Sequence, residues 1–165
     1  MQTDRQHQEQ DFEHKVHEYA DRILRLAFIR LGIAADAQDV CQEVLIRLFN
    51  YRNTFNDAEH EKAWIIRVTL NACRDVRRSR WKKRFLQFAE VPRPEAPVPD
   101  SEILSQVLAL PPKYRIVIHL HYYEGYRTAE IAELLDLNEN TVRTRLKRGR
   151  EHLKTYLTGG IDDEE

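Results

Sequence analysis

With 165 residues, 42% of them hydrophobic and 32% charged, the chain has room for one ordinary domain or two small ones and is too apolar for wholesale disorder. Five glycines and six prolines are too few for a turn-rich all-β fold, and no apolar run approaches the ~18–20 residues of a membrane span. A formal charge of −1 argues against a nucleic-acid partner only until its distribution is read. Residues 64–89 carry eight basic side chains against one acidic, and residues 143–157 carry six against one. Two basic islands therefore stand on an acidic body. A phosphate backbone answers to the potential within a Debye length, ~8–10 Å, so the islands outweigh the total.

The polar first eleven residues show no secretory signal, and a cytoplasmic chain without membrane insertion is expected. Phe12, Val16, Tyr19, Ile23 and Leu26, then Ala27 and Leu31, form one helical stripe that Gly32 ends. Asp36 is placed to cap a second helix, whose apolar face is Val40, Val44, Leu45, Leu48 and Phe49. Its other face carries Asp39, Gln42, Glu43 and Arg47. A polar loop over 50–62 leads to a third helix, expected to start near Ala63 and Trp64 and to run into the first basic island. Cys41 and Cys73 lie far apart, in no Cys-x-x-Cys pair, and read as two buried, reduced thiols.

Four prolines, at 92, 94, 97 and 99, defeat helix and strand alike and mark residues 91–100 as an extended linker. The expected architecture is all-α: a helical domain over 1–90, the linker, a second helical domain over 101–158, and a frayed acidic tail over 159–165. Asp100 and Ser101 can cap the helix that opens the second domain, and Pro111–Pro112 stops it. Residues 113–123 include β-branched Ile116, Val117 and Ile118, so periodicity leaves helix or strand open there, with helical neighbours favouring helix.

A short helix over 128–135, with Ile131, Ala132 and Leu135 inward, a turn over 136–139 and a helix to about Tyr156 make a helix-turn-helix pattern. In that motif the second helix enters the major groove of DNA. Asn138 can cap it, Leu137 fills the corner, and Val142, Leu146 and Leu153 point inward. Outward stand Asn140, Thr141, Arg143, Thr144, Lys147 and Arg148, of which Arg and Lys suit guanine and Thr a thymine methyl. Two residues work against the motif locally. Asp136 takes a turn position that Gly would fill more easily, and Gly149 should weaken the helix by up to ~1 kcal/mol relative to Ala.

The stretch 54–84 couples a polar loop, which begins beside Phe55, to a helix that mixes cations with aromatics: Trp64, Arg67, Asn71, Arg74, Arg77, Arg78 and Trp81. Cations hold a backbone while aromatic faces stack on unpaired bases, a mixture suited to an opened strand rather than a closed duplex. Trp64 has an equally good reading as core.

Taken together, the chain resembles the extracytoplasmic-function (ECF) sigma factors of bacterial RNA polymerase. The run DAQDVCQEVLIRLF at 36–49 resembles the family's polymerase-docking helix, and AWIIRVTLN at 63–71 its promoter-melting segment. LPPKYR at 110–115, EIA at 130–132 and TVRTRLKR at 141–148 resemble its DNA-binding domain. The resemblance implies an alternative sigma factor that binds core RNA polymerase and promoter DNA, is not an enzyme and needs no cofactor. Asp39, Gln42, Glu43 and Arg47 would dock on the polymerase. The 55–62 loop, with Trp64, Arg67 and Asn71, would hold a flipped base of the minus-ten element. Arg143, Thr144, Lys147 and Arg148 would read the minus-thirty-five duplex. The family commonly has an anti-sigma partner, though no residue here identifies one. Where it carries Ser or Thr this chain has Arg127, leaving Thr128 as the expected substitute cap.

Two other readings compete. A stand-alone regulator would use the same second helix without a polymerase face or strand-capturing aromatics. A metal enzyme is prompted by seven histidines, but His119 and His121 would face opposite sides of a helix and His60 lacks a second His four residues on. His14 and His17 share a face and read as a solvated pair.

Overall fold

The structure, a computed structural model, describes residues 2–87 and 102–159, without the side chains of 2, 81–87 and 102–104. The proline-rich stretch 91–100, the expected cap at Asp100 and Ser101, the side chain of Trp81 and all but the first residue of the acidic tail lie outside the described residues. Among the described residues every regular element is helical. The chain divides into two compact units, Met1–Pro94 and Glu95–Glu165.

The first unit packs three helices, α1 (Gln2–Leu31), α2 (Ala34–Phe49) and α3 (Ala58–Gln87). The α1 stripe buries Tyr19, Ile23, Leu26 and Ala27, while Phe12, Val16 and Leu31 are half-buried. Gly32, at φ 73°, ends the helix, and its N–H donates to the Phe28 carbonyl at 2.7 Å. From α2, Ala37, Val40, Val44 and Leu48 at three- and four-residue spacing meet Ile65, Ala72 and Cys73 of α3 in one core.

Two helix starts differ from expectation. Helix α2 begins at Ala34 behind an Ile33 that offers no side-chain cap, so Asp36 lies inside the first turn. There its charge favours the helix dipole, and its carboxylate pairs with Arg80 of α3. Helix α3 begins at Ala58, five residues before Ala63, because the Asp57 carboxylate accepts the His60 N–H at 2.7 Å and satisfies an otherwise orphaned donor.

Glu61 then ties α3 to α1. Its carboxylate accepts the Tyr19 hydroxyl at 2.8 Å and pairs with Lys15 Nζ at 2.9 Å. Tyr19 is only 2% exposed, so removing its acceptor strands a buried hydroxyl. Glu61→Ala is expected to lower stability by about 1–3 kcal/mol, read as the denaturant midpoint of the first unit.

The second unit holds α4 (Glu102–Ala109), α5 (Pro112–Ile118), α6 (Thr128–Leu135) and α7 (Glu139–Leu157). Pro112 opens α5 at a position where its missing N–H is harmless. The segment left open between helix and strand is helical, continuing through a π-helical turn at His119–Tyr123. Ile116, Val117, Ile118 and Leu120 are all buried there. So are three polar side chains, Arg115, His119 and Glu124, that the sequence does not mark as interior. Arg115 donates to the Leu108 carbonyl at 3.1 Å, meeting an acceptor that the end of α4 leaves open, and His119 Nε2 lies 3.8 Å from Glu124 Oε1.

Helix α6 buries Ile131, Ala132 and Leu134, with Leu135 half-buried, so its inward face is turned by one residue from the expected one. The turn to α7 is residues 136–138. Asp136 is left-handed at φ 53°, the Leu137 N–H reaches back to the Ala132 carbonyl at 2.8 Å, and Asn138 Oδ1 accepts the Asn140 N–H at 2.8 Å. Asn138 is thus the cap the sequence indicates. Arg127 precedes α6 without a side-chain acceptor, and the Glu130 carboxylate instead takes the Arg127 N–H at 2.7 Å. Thr128 is not the substitute cap. Its hydroxyl donates to Glu139 Oε1 at 2.8 Å, fastening α6 to the first residue of α7.

Candidate nucleic-acid interface

On α7, burial of Val142, Leu146 and Gly149 turns the opposite side outward. Asn140, Arg143, Thr144, Lys147 and Arg148 are exposed and Thr141 is half-buried, so all six expected readers lie on or beside the outward face. Arg143 is paired with Glu139 at 2.7 Å. Hydrogen bonds from Thr128 and Arg143 hold the Glu139 carboxyl below its ordinary range.

Sequence reasoning missed a cleft of about 370 Å³ between the start of α5 and the flank of α7. Lys113 and Tyr114 line it from α5, and Arg145 joins Thr141, Thr144 and Arg148 on the α7 side. Burial raises the Tyr114 phenol, but hydrogen bonds from Arg148 and Lys113 outweigh it and hold the group below its usual value. Arg145 escaped notice because it is half-buried and falls between the outward and inward stripes.

In the first unit, Arg67, Asn71, Arg74 and Arg78 follow one line of α3 at four- and three-residue spacing. All are exposed except half-buried Arg74, and Arg77 is exposed on the adjacent line. Phe55 and Trp64 sit at the head of that line, both half-buried. Their rings are 5.6 Å apart, and Tyr51 stacks on Phe55 at 4.5 Å and tilts against Trp64 at 4.8 Å. Phe55 and Trp64 are therefore packed on one another, with Tyr51 as a partner the sequence did not single out. Lys15 lies over the Phe55 ring at 5.6 Å.

On α2, Asp39, Gln42 and Arg47 are exposed and Glu43 is half-buried, paired with Arg47 at 2.5 Å. Ile46, 60% exposed, lies in the same patch and was not among the expected residues.

Cys73 is buried, but Cys41 is only half-buried, a correction to the expectation of two buried thiols. Burial pushes the Cys73 thiol up to about 12 and also raises Cys41, whose Sγ donates to the Ala20 carbonyl at 3.7 Å. The thiolate is the reactive form. In native protein at pH 8, Ellman's reagent should leave Cys73 unmodified and modify Cys41 slowly, both reacting fast in denaturant.

Among the described residues no three His, Cys, Asp or Glu side chains cluster as metal ligands, and no helix is long and apolar enough to cross a membrane. His14 and His17 are exposed; His119 is buried and His121 half-buried.

Residues 16–83 match the family "Sigma-70 region 2", and residues 100–153 match "Sigma-70, region 4". The ECF RNA polymerase sigma factor SigW of Bacillus subtilis is 31% identical over 159 residues, covering 84% of each chain. SigE of Mycolicibacterium smegmatis, also an ECF RNA polymerase sigma factor, is 34% identical over 154 residues, and the match spans 86% of this chain and 60% of that protein. Among solved structures, the sigma factor RpoE of Bartonella quintana, in complex with the anti-sigma factor NepR, shares the fold with a TM-score of 0.70 at 18% identity, over 92% of this chain and 98% of that one. Two helical units in this order, each matching one sigma-70 region, and relatives of this similarity show that the chain belongs to the ECF sigma factors of RNA polymerase.

Proposed function

We propose that the chain binds core RNA polymerase and directs it to specific promoters, with the labour divided between its two units. The observation that carries this reading is the pair of cationic surfaces, one on α3 of the first unit and one on α7 of the second, in a chain whose total charge is −1. The α2 patch of Asp39, Gln42, Glu43 and Arg47, extended by Ile46, docks on the polymerase. The α3 line of Arg67, Asn71, Arg74 and Arg78, with Arg77 beside it, tracks the backbone of the opened minus-ten strand. Phe55 and Trp64 stack on its bases, and since both rings are engaged with Tyr51, a flipped base enters by displacing or extending that aromatic group.

The second unit reads the minus-thirty-five duplex with Asn140, Thr141, Arg143, Thr144, Lys147 and Arg148. Residues 91–100 connect the two, so that engagement of one element raises the effective concentration of the other. The chain works in the cytoplasm, without catalysing a reaction and without a cofactor. An anti-sigma protein is a further partner on this reading, as NepR is for the Bartonella factor.

Transcription by purified core polymerase, with and without the full chain, on a promoter library tests the reading. Products that appear only with the chain and share two sequence elements are expected; an unchanged product set would sink it. In that assay Arg148→Ala should relax the upstream element by about 1–3 kcal/mol at one base pair while polymerase binding is kept. Loss of polymerase binding with upstream recognition intact would reverse the assignment of the two units.

A further inference from the structure

The cleft between α5 and α7 has a composition that base reading alone does not call for. Three cations line it, Lys113, Arg145 and Arg148, with two threonine hydroxyls and no carboxylate. Arg143, the cation of α7 that is paired with Glu139, is not among them. Tyr114 lines the cleft beside Lys113 and Arg148, and its phenol O–H can donate. Tyr114 is itself fixed, buried at the base of the cleft with its ring 5.4 Å from His152. Every polar group in the cleft can thus offer a hydrogen to a tetrahedral anion.

Its place on the helix selects which anion. Residues 141, 145 and 148 follow one line of α7, and residues 140, 143 and 147 follow another. Arg143 and Lys147 of the second line lie outside the cleft and are free to enter a groove. The first line lies against α5, which turns half-buried Arg145 towards the sugar–phosphate rim of that groove, while exposed Arg148 keeps a share in the outward face. Thr144 and Asn140 belong both to the cleft and to the outward face, so the two surfaces are continuous.

We infer that this cleft seats one backbone phosphate at the rim of the upstream duplex, with Lys113 and Arg145 as its cationic grips and Tyr114 as a donor at its base. The inference rests on the second unit reading that duplex and deepens it. Lys113 and Arg145 set register and contribute affinity without sequence information, while discrimination stays with the outward line. Arg148 joins the two, since it lines the cleft and is exposed on the outward face.

The test uses holoenzyme assembled from the full chain and core polymerase, with the upstream element that wild-type holoenzyme enriches from a promoter library. A series of duplexes each carries one neutral methylphosphonate in place of a phosphate. Wild type should lose about tenfold in affinity at one or two adjacent positions beside the element. Lys113→Gln and Arg145→Gln should each weaken binding by the same factor on every sequence and lower the salt slope by about one. Neither should lose anything more at the sensitive phosphate. Lys113 is exposed, so it serves as the readout if Arg145→Gln fails to fold. Variants that stay as sensitive as wild type at every phosphate, or that lose affinity only for particular base pairs, would overturn the inference. Enrichment of no upstream sequence by wild-type holoenzyme would bring down the underlying reading, and this inference with it.

Discussion

Gly149→Leu is expected to unfold the second unit and abolish upstream recognition while association with core polymerase survives. A Cβ at position 149 would lie 2.9 Å from Ile118 Cγ1, 3.1 Å from its Cδ1 and 3.5 Å from Tyr114 Cβ. Ile118 is buried and β-branched, so it has little freedom to move aside. Overpacking of this kind costs about 1–3 kcal/mol for small additions, and a leucine adds three carbons beyond the Cβ. A unit this small has little stability in reserve. The alanine variant is the sharper test. Helix propensity alone favours Gly149→Ala by up to ~1 kcal/mol. If the contact with Ile118 governs instead, the variant is destabilised by about 1 kcal/mol net. A raised melting temperature for Gly149→Ala would show that the glycine is a local weakness after all.

Asp39→Arg should weaken binding to core polymerase by about a hundredfold, near 3 kcal/mol, with upstream duplex recognition unchanged. Of the two carboxylates on the α2 patch, Glu43 is occupied by Arg47 at 2.5 Å, whereas Asp39 is exposed and carries no salt bridge among the described residues. An exposed charge with no intramolecular partner is the one available to steer and register a positively charged surface. Ile46→Asp should act in the same direction by opposing desolvation of the patch centre. Unchanged affinity in titrations of labelled core polymerase would remove α2 from the docking face.

What could be read from the residues was the part governed by period and by local hydrogen bonding. The α1 stripe, the α2 core face and the Asn138 cap each announce themselves within a few positions. Helix α3 was placed late because the polar run before Trp64 looks like loop, although Asp57 three residues before His60 is a cap signal that was there to be used. The stretch 113–123 resisted because β-branched residues satisfy strand and helix patterns equally, and a π-helical turn then shifts the phase of everything beyond it. That shift accounts for the burial of Glu124, whereas Arg115 and His119 are polar side chains within an otherwise apolar run, where no periodicity marks them as interior.

The site divides the same way. Outward residues of α7 follow from its inward ones. The cleft does not, since Lys113 and Arg145 belong to different helices and meet because Gly149 lets α5 approach α7 closely. Sequence leaves Trp64 open between core and surface, and the structure half-buries it against Tyr51 and Phe55.

Glu139 is clasped from two sides, by the Thr128 hydroxyl and the Arg143 guanidinium, and this makes it the hinge pin between α6 and α7. Its carboxyl is held below the ordinary carboxylate range, so the clasp is complete above that range and is lost as acid carries the pH down through the lowered value. Around neutral pH the clasp is therefore at full strength, and mild acidification does not loosen the join that Glu139 makes between α6 and α7.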